Sequence, residues 1–130
     1  MTKEEKIEFM KQDRFATEAA KAVVEETGEN YARCSIEISD IHQNAHGGVM
    51  GGVIFTLADF AYAIATNTPE NYTVNVSSSI NFMTMAKGKK LIAETKLIKD
   101  GRRNCFYEVD VRDELDTKVA VVMINGVHLG

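Results

Sequence analysis

Between Ile41 and Ala86 the chain runs for 46 residues with two charged side chains, Asp59 and Glu70. The flanks, residues 1–40 and 87–130, hold sixteen charges each. Even spacing of all 34 charges puts about twelve in that window. A drought that long marks a segment folded away from water, because Asp, Glu, Lys and Arg are almost never buried unpaired. The expectation is a buried centre with one out-of-place acid, Asp59.

The rest of the composition narrows the class. A chain of 130 residues is one domain's worth, so residues 1–130 are expected to form a single domain. A chain this size buries roughly two-thirds of its unfolded surface and needs no disulfide or metal to hold it. The net charge is −4, which argues against nucleic acid as a partner, because phosphate binding needs concentrated Lys and Arg. Cys34 and Cys105 lack CxxC spacing and read as small residues inside strands. The start, MTKEEKIEF, is too charged to open a signal peptide. The run Ile41–Ala58 is uncharged but carries two His, Gln, Asn and four Gly, which excludes a bilayer span. A reducing cytoplasm, with no membrane partner, is the expectation.

Periodicity supplies the elements. Thr2-x-x-Glu5 is a capping box, and Ile7, Met10, Phe15 and Ala19 follow at roughly helical spacing, which predicts a helix over 3–19. Gly28-Glu29-Asn30 is a turn. Tyr31–Ser39 alternates, with Ala32, Cys34, Ile36 and Ile38 on one face. A glycine-rich loop, Asn44 to Gly52, leads into Val53–Asn67, apolar on every face and therefore expected to be buried all round. From Tyr72 to Phe82 the period becomes two. Lys90–Ile98, Asn104–Arg112 and Val119–Ile124 read as further strands, the last as a central one, and Asp100-Gly101 as a type I′ hairpin signal. One long antiparallel sheet around one apolar helix is the simplest packing.

Asp59 is the sharpest chemical candidate, too deep in its helix to cap it. Gly51-Gly52, opening that helix, offers free N–H groups at a positive dipole end, suited to an oxyanion or a phosphate. No Lys-Ser/Thr follows it, so it is not a P-loop, and no GxGxxG occurs. His42 and His46 read as solvated loop histidines rather than a metal pair. His46-Gly47-Gly48 suggests a hydrolase oxyanion loop, but no GxSxG elbow accompanies it. Ser77-Ser78-Ser79 has no evident base nearby. Lys87, Lys89, Lys90, Arg102 and Arg103 flank hairpin ends as solvated turns or phosphate contacts.

The run Asn44-x-x-Gly47-x-x-Met50-Gly51-Gly52-x-x-x-x-Leu57-Ala58-Asp59 resembles the signature of hotdog-fold thioesterases of the phenylacetic-acid-degradation type, N-x-x-G-x-x-H-G-G-x-x-x-x-L-A-D. Ser77–Phe82 and Gly126–Gly130 are similar to that family too, and the likeness extends from about Arg14 to the end. Counting from Asn44 and from Asp59 puts the signature's histidine on Met50, so His46 is out of register. Asn75 stands where the family usually has Thr or Ser.

The resemblance implies an α+β hotdog fold: an antiparallel sheet in the order 1-3-4-5-2 around the helix at 50–67, with Ala22–Glu26 as an extra short strand. It implies homodimers, often dimers of dimers, with the site between subunits, Asn44 and Gly51 from one and Asp59 and Asn75 from the other. The implied activity is hydrolysis of acyl-CoA thioesters without a cofactor or metal. The Gly51 N–H would hold the oxyanion, Asp59 would act as general base or nucleophile, and Asn44 would orient water or substrate. Met50, Gly52, Asn75, Phe55 and Phe82 would contact substrate, with phosphates at the Lys and Arg clusters. Phe55, Tyr62, Phe82 and Met83 could line the pocket, but aromatic and sulfur side chains near a core are more often packing. Two other readings stand beside this one. An acyl-CoA-binding or regulatory protein without turnover fits the loss of histidine at Met50. A dehydratase or other hotdog activity would have to rely on His46.

Overall fold

Thr2 begins the first helix as its sequence demands. Its hydroxyl accepts from the Glu5 N–H at 3.1 Å and the Glu5 carboxylate accepts from the Thr2 N–H at 2.8 Å. In this computed structural model, which describes all 130 residues, α1 spans Lys3–Met10 and stops there. The single helix expected over 3–19 is therefore two pieces. Apolar residues five apart, Met10 and Phe15, do not share a face of an α-helix, and Phe15 is 72% exposed. The chain turns through Lys11–Arg14 and then winds a wider turn, Phe15–Ala19, closed by the Ala20 N–H on the Phe15 carbonyl at 2.9 Å.

The strands are β1 (Val23–Gly28), β2 (Tyr31–Glu37), β3 (Thr73–Phe82), β4 (Lys90–Asp100), β5 (Asn104–Asp113) and β6 (Lys118–His128). They form one antiparallel sheet in the order β1-β2-β4-β5-β6-β3. The five-strand order implied by the resemblance holds within it, and β1 extends the sheet by one strand outside β2. The β4–β5 hairpin lacks the expected type I′ turn. The strands pair out to Asp100 and Cys105, and neither Asp100 nor Gly101 has the positive φ that turn needs.

Helix α2 (Gly51–Thr66) lies in the curl of the sheet. Its inner face, Leu57, Ala58, Ala61 and Ile64, is fully buried. It meets Ala32, Cys34 and Ile36 of β2, Leu91 and Ala93 of β4, and Val109 and Val111 of β5 in one core. Cys34 and Cys105 are buried, unpaired strand residues, as expected. Gly126 of β6 admits the helix closely: a Cβ there would fall 1.8 Å from the Tyr62 hydroxyl. No helix is long and apolar enough to cross a membrane.

The uncharged segment is not buried throughout. Asp59 is half-buried, and from Val76 to Phe82 only Ile80 is even partly covered. β3 lies at a sheet edge with one strand neighbour, β6. The drought therefore combines a buried helix with an open, charge-free edge strand.

Two ends of the fold are tied by single charged side chains. Lys6, 7% exposed, donates from Nζ to the carbonyl oxygens of Ile64 (3.0 Å) and Asn67, capping the C-terminus of α2. Asp113, 1% exposed, accepts backbone N–H bonds from Lys87 (2.8 Å), Gly88 (2.9 Å), Leu115 (3.0 Å) and Thr117 (2.8 Å). Burial alone would push its carboxyl up, but those bonds win and hold it well below the usual range. At Glu25, burial is likewise outweighed by Lys90, Ser35 and Arg33, which bring it down from 4.5 to about 2. A carboxyl depressed on folding stabilises the fold above its ordinary value, and the benefit is lost as pH falls through the folded value. Thermal melts should therefore show Tm falling from pH 4.5 towards pH 2. Glu25→Gln should lower Tm at pH 7 and make the acid fall shallower.

Candidate functional site

The loop before α2 is organised by Asn44. Its Oδ1 accepts from the His46 N–H (2.9 Å) and the Gly48 N–H (3.1 Å), while its backbone N–H donates to the Gly48 carbonyl at 2.7 Å. Gly47 takes the tight position with φ +85°, where a side chain is strained. His42 is 2% exposed rather than solvated as expected. Its Nε2 lies 2.8 Å from the Ala20 carbonyl and its Nδ1 lies 3.0 Å from the Ser39 N–H. The His42 carbonyl in turn accepts from the Met50 N–H at 2.8 Å, so a buried imidazole fixes the level at which α2 starts. His46 is exposed, and His42 and His46 belong to no cluster of metal-ligating side chains.

At the helix start the Met50 carbonyl accepts from Val53 and Ile54, and the Gly51 and Gly52 N–H groups have no partner. The Met50 thioether packs beside Gly52: a Cβ there would lie 2.8 Å from its methyl carbon. Gly51 opens on a cavity of about 410 Å³ lined by Ile54, Phe82, Met83, Met85 and Val119, with no charged residue.

Asp59 lies eight residues further along the same helix, about 12 Å by the helix rise. One of its oxygens accepts from Asn75 Nδ2 at 3.2 Å, and Asn75 also donates to Ser78 Oγ at 2.6 Å. The bulge in β3 between Asn75 and Ser77 turns Asn75 towards the helix while Val76 faces out. The second oxygen of Asp59 has no partner. Asp59 lines two grooves, of about 430 and 360 Å³. The first includes Tyr62 and Asn75, and the second includes Phe55. Asp13, after α1, lines both as well, and its carboxyl is pushed up by burial and then by the neighbouring Asp59 charge.

The candidate residues thus fall into two groups. Asn44, Met50, Gly51, Gly52 and Phe82 sit around the helix start. Asp59, Asn75 and Phe55 sit at its middle, and the cavity at Gly51 shares no lining residue with the two grooves at Asp59. Sequence reasoning passed over Asp13, because a lone acid in a charged N-terminal stretch carries no signal until the turn after α1 brings it beside Asp59.

Of the basic clusters, only the Lys90 side chain is in an ion pair, with Glu25; at Lys89 it is the backbone N–H that Glu114 holds, at 2.8 Å, and the ammonium is unpaired. Arg102 lines a polar cavity in which His128 bridges Thr73 Oγ1 (2.8 Å) and Asp100 (2.8 Å). That hydroxyl–imidazole–carboxylate chain resembles a nucleophile relay, but Thr73 is 3% exposed, so the chain ties β3, β6 and the end of β4 together.

Residues 46–120 match the model of the thioesterase superfamily. The chain belongs to that superfamily. A putative esterase of Archaeoglobus fulgidus is 32% identical over 105 residues, covering 80% of this chain and 68% of the relative. Human acyl-coenzyme A thioesterase 13 is 28% identical over 100 residues, covering 75% and 71%. The E. coli PaaI protein of the phenylacetic acid degradation operon superposes with a TM-score of 0.88 at 19% identity, over 100% of this chain and 97% of that one. The thioesterase superfamily match and this superposition agree with the hotdog arrangement of α2 in the sheet.

Proposed function

We propose that this protein hydrolyses acyl-CoA thioesters at a site shared between two copies of the chain. The observation that carries the reading is the placement of Asp59. It is the only charge in α2, it faces a groove, and one oxygen is oriented by Asn75 while the other is free. Its superfamily and its likeness to acyl-coenzyme A thioesterase 13 supply the substrate class.

The free Gly51 N–H polarises the thioester carbonyl and holds the oxyanion as charge develops on it. Asp59 takes a proton from water as that water attacks, or attacks the carbonyl itself to form an anhydride that water then opens. Collapse of the tetrahedral intermediate expels the CoA thiolate, which takes a proton from solvent. In one chain Gly51 and Asp59 are held apart on a rigid helix, so a second copy must bring its own half. The free edge of β3 supports this assembly. Edge strands are ordinarily guarded by charge or proline, and the residues Thr73–Phe82 contain neither. Asn44, its Oδ1 committed to the loop, has its Nδ2 left for substrate or water.

Met50 favours a second reading, an acyl-CoA-binding protein without turnover, because a thioether cannot donate the hydrogen bond of an imidazole. Release of free thiol from a panel of aryl, short and long acyl-CoA esters separates the two. Turnover is the expected result, and Met50→His should raise kcat by about tenfold or more through the added donor. Calorimetric binding with no thiol released from any ester would establish the second reading instead.

A further inference from the structure

Asp13 and Asp59 are the two residues common to both grooves, so the wall between these grooves carries two carboxylates. Within one chain, nothing cationic offsets them. The one basic residue lining either groove is Arg14, whose guanidinium is committed to Glu18 through Nε (2.7 Å) and Nη2 (2.9 Å). Lys6, on the helix that walls the larger groove, is spent on the Ile64 and Asn67 carbonyls. The Asp13 carboxylate makes no hydrogen bond. Its backbone carbonyl does the structural work, accepting from the Thr17 N–H (3.0 Å) and the Thr17 hydroxyl (2.9 Å). Its charge therefore faces the groove without any part in holding the fold.

We propose that Asp13 is a selectivity residue: it makes the groove at Asp59 repel acyl groups that end in a carboxylate and admit neutral ones. This rests on the reading of Asp59 as the reacting carboxylate. A third anion in a groove with two others and no free cation from this chain is opposed by both. A neutral alkyl or aryl group instead meets Phe9, Met10 and Pro69 on one side and Phe55 and Phe60 on the other. Burial, and after it the Asp59 charge, pushes the Asp13 carboxyl up.

Hexanoyl-CoA and adipoyl-CoA share a six-carbon acyl chain and differ by a terminal carboxylate, so they isolate the effect. The wild-type protein should favour hexanoyl-CoA in kcat/KM by about tenfold or more, and in Asp13→Asn that ratio should shrink at least fivefold. An unchanged ratio, including equal losses on both esters, overturns the proposal, and so does a wild-type protein that does not discriminate. Asn keeps every backbone bond at this position; should it fail to fold, Asp13→Ser makes the same comparison. If neither ester is turned over, calorimetric titration with both, on wild type and variant, must show the same ratio in Kd or the proposal is wrong. Failure of the underlying reading shows separately, as an Asp59→Asn variant that still hydrolyses hexanoyl-CoA.

Discussion

Asp59→Asn should cost about 10²–10⁴-fold in kcat on the best thioester, the range by which a positioned acid–base group accelerates a reaction. The substitution is nearly isosteric, and Asn75 can still donate to the new amide oxygen across the 3.2 Å contact. What is lost is the anion. An amide neither takes a proton from water nor attacks a carbonyl, so the loss falls on kcat, while KM should move little. The variant should melt within a few degrees of wild type, because no ion pair involves Asp59. Activity within about threefold of wild type would remove Asp59 from the chemistry and leave it a structural acid.

Gly51→Pro should cost about 10²–10³-fold in kcat, the loss typical of one oxyanion donor. Proline removes the N–H that the mechanism needs at a position where the fold accepts it. Gly51 is the first helical residue, where proline is well tolerated. Met50 before it already has φ −64° and ψ 137°, the extended conformation that proline demands of its predecessor. The new ring approaches Phe82, whose Cζ lies 3.0 Å from the position of a Cβ, but that ring is 56% exposed and free to move. Stability should therefore be kept while turnover collapses. Mixing the two inactive preparations and allowing copies to exchange then tests the shared site. In a mixed pair one site keeps an intact Gly51 from one copy and an intact Asp59 from the other, so activity should return. No recovery on mixing would place both groups in a site of one chain.

Much of this was legible in the order of residues. The alternation of Tyr31–Glu37 and of Asn104–Arg112 shows directly as buried Ala32, Cys34, Ile36, Cys105, Tyr107, Val109 and Val111. The apolar run after Gly52 is the central helix because it holds no proline, no glycine and a single charge, Asp59. Other features were not legible, for physical reasons. The break after Met10 agrees with the five-residue step to Phe15, but that Phe15 then stays 72% exposed instead of joining the core is a tertiary outcome that spacing does not record. The charge-free stretch from Val76 to Phe82 reads as interior, yet it is an exposed sheet edge, because Ser77, Ser78, Ser79 and Asn81 are polar without being charged. His42 reads as a loop histidine because its two partners, Ser39 and Ala20, include one 22 residues away in the chain. Asp13 gains meaning only from the turn that follows α1.

The clasp of Lys6 on the end of α2 has a consequence for how the molecule is made. Its two acceptors lie 58 and 61 residues downstream, and β3 pairs with β6 through partners such as Thr73 and His128. During synthesis the most apolar segment of the chain leaves the ribosome before β4, β5 and β6 exist to cover it. It waits as a greasy helix with one strand hairpin for company. Closure has to come late and all at once, so the nascent chain is most exposed to sticking and to proteolysis while residues 67–118 are being added.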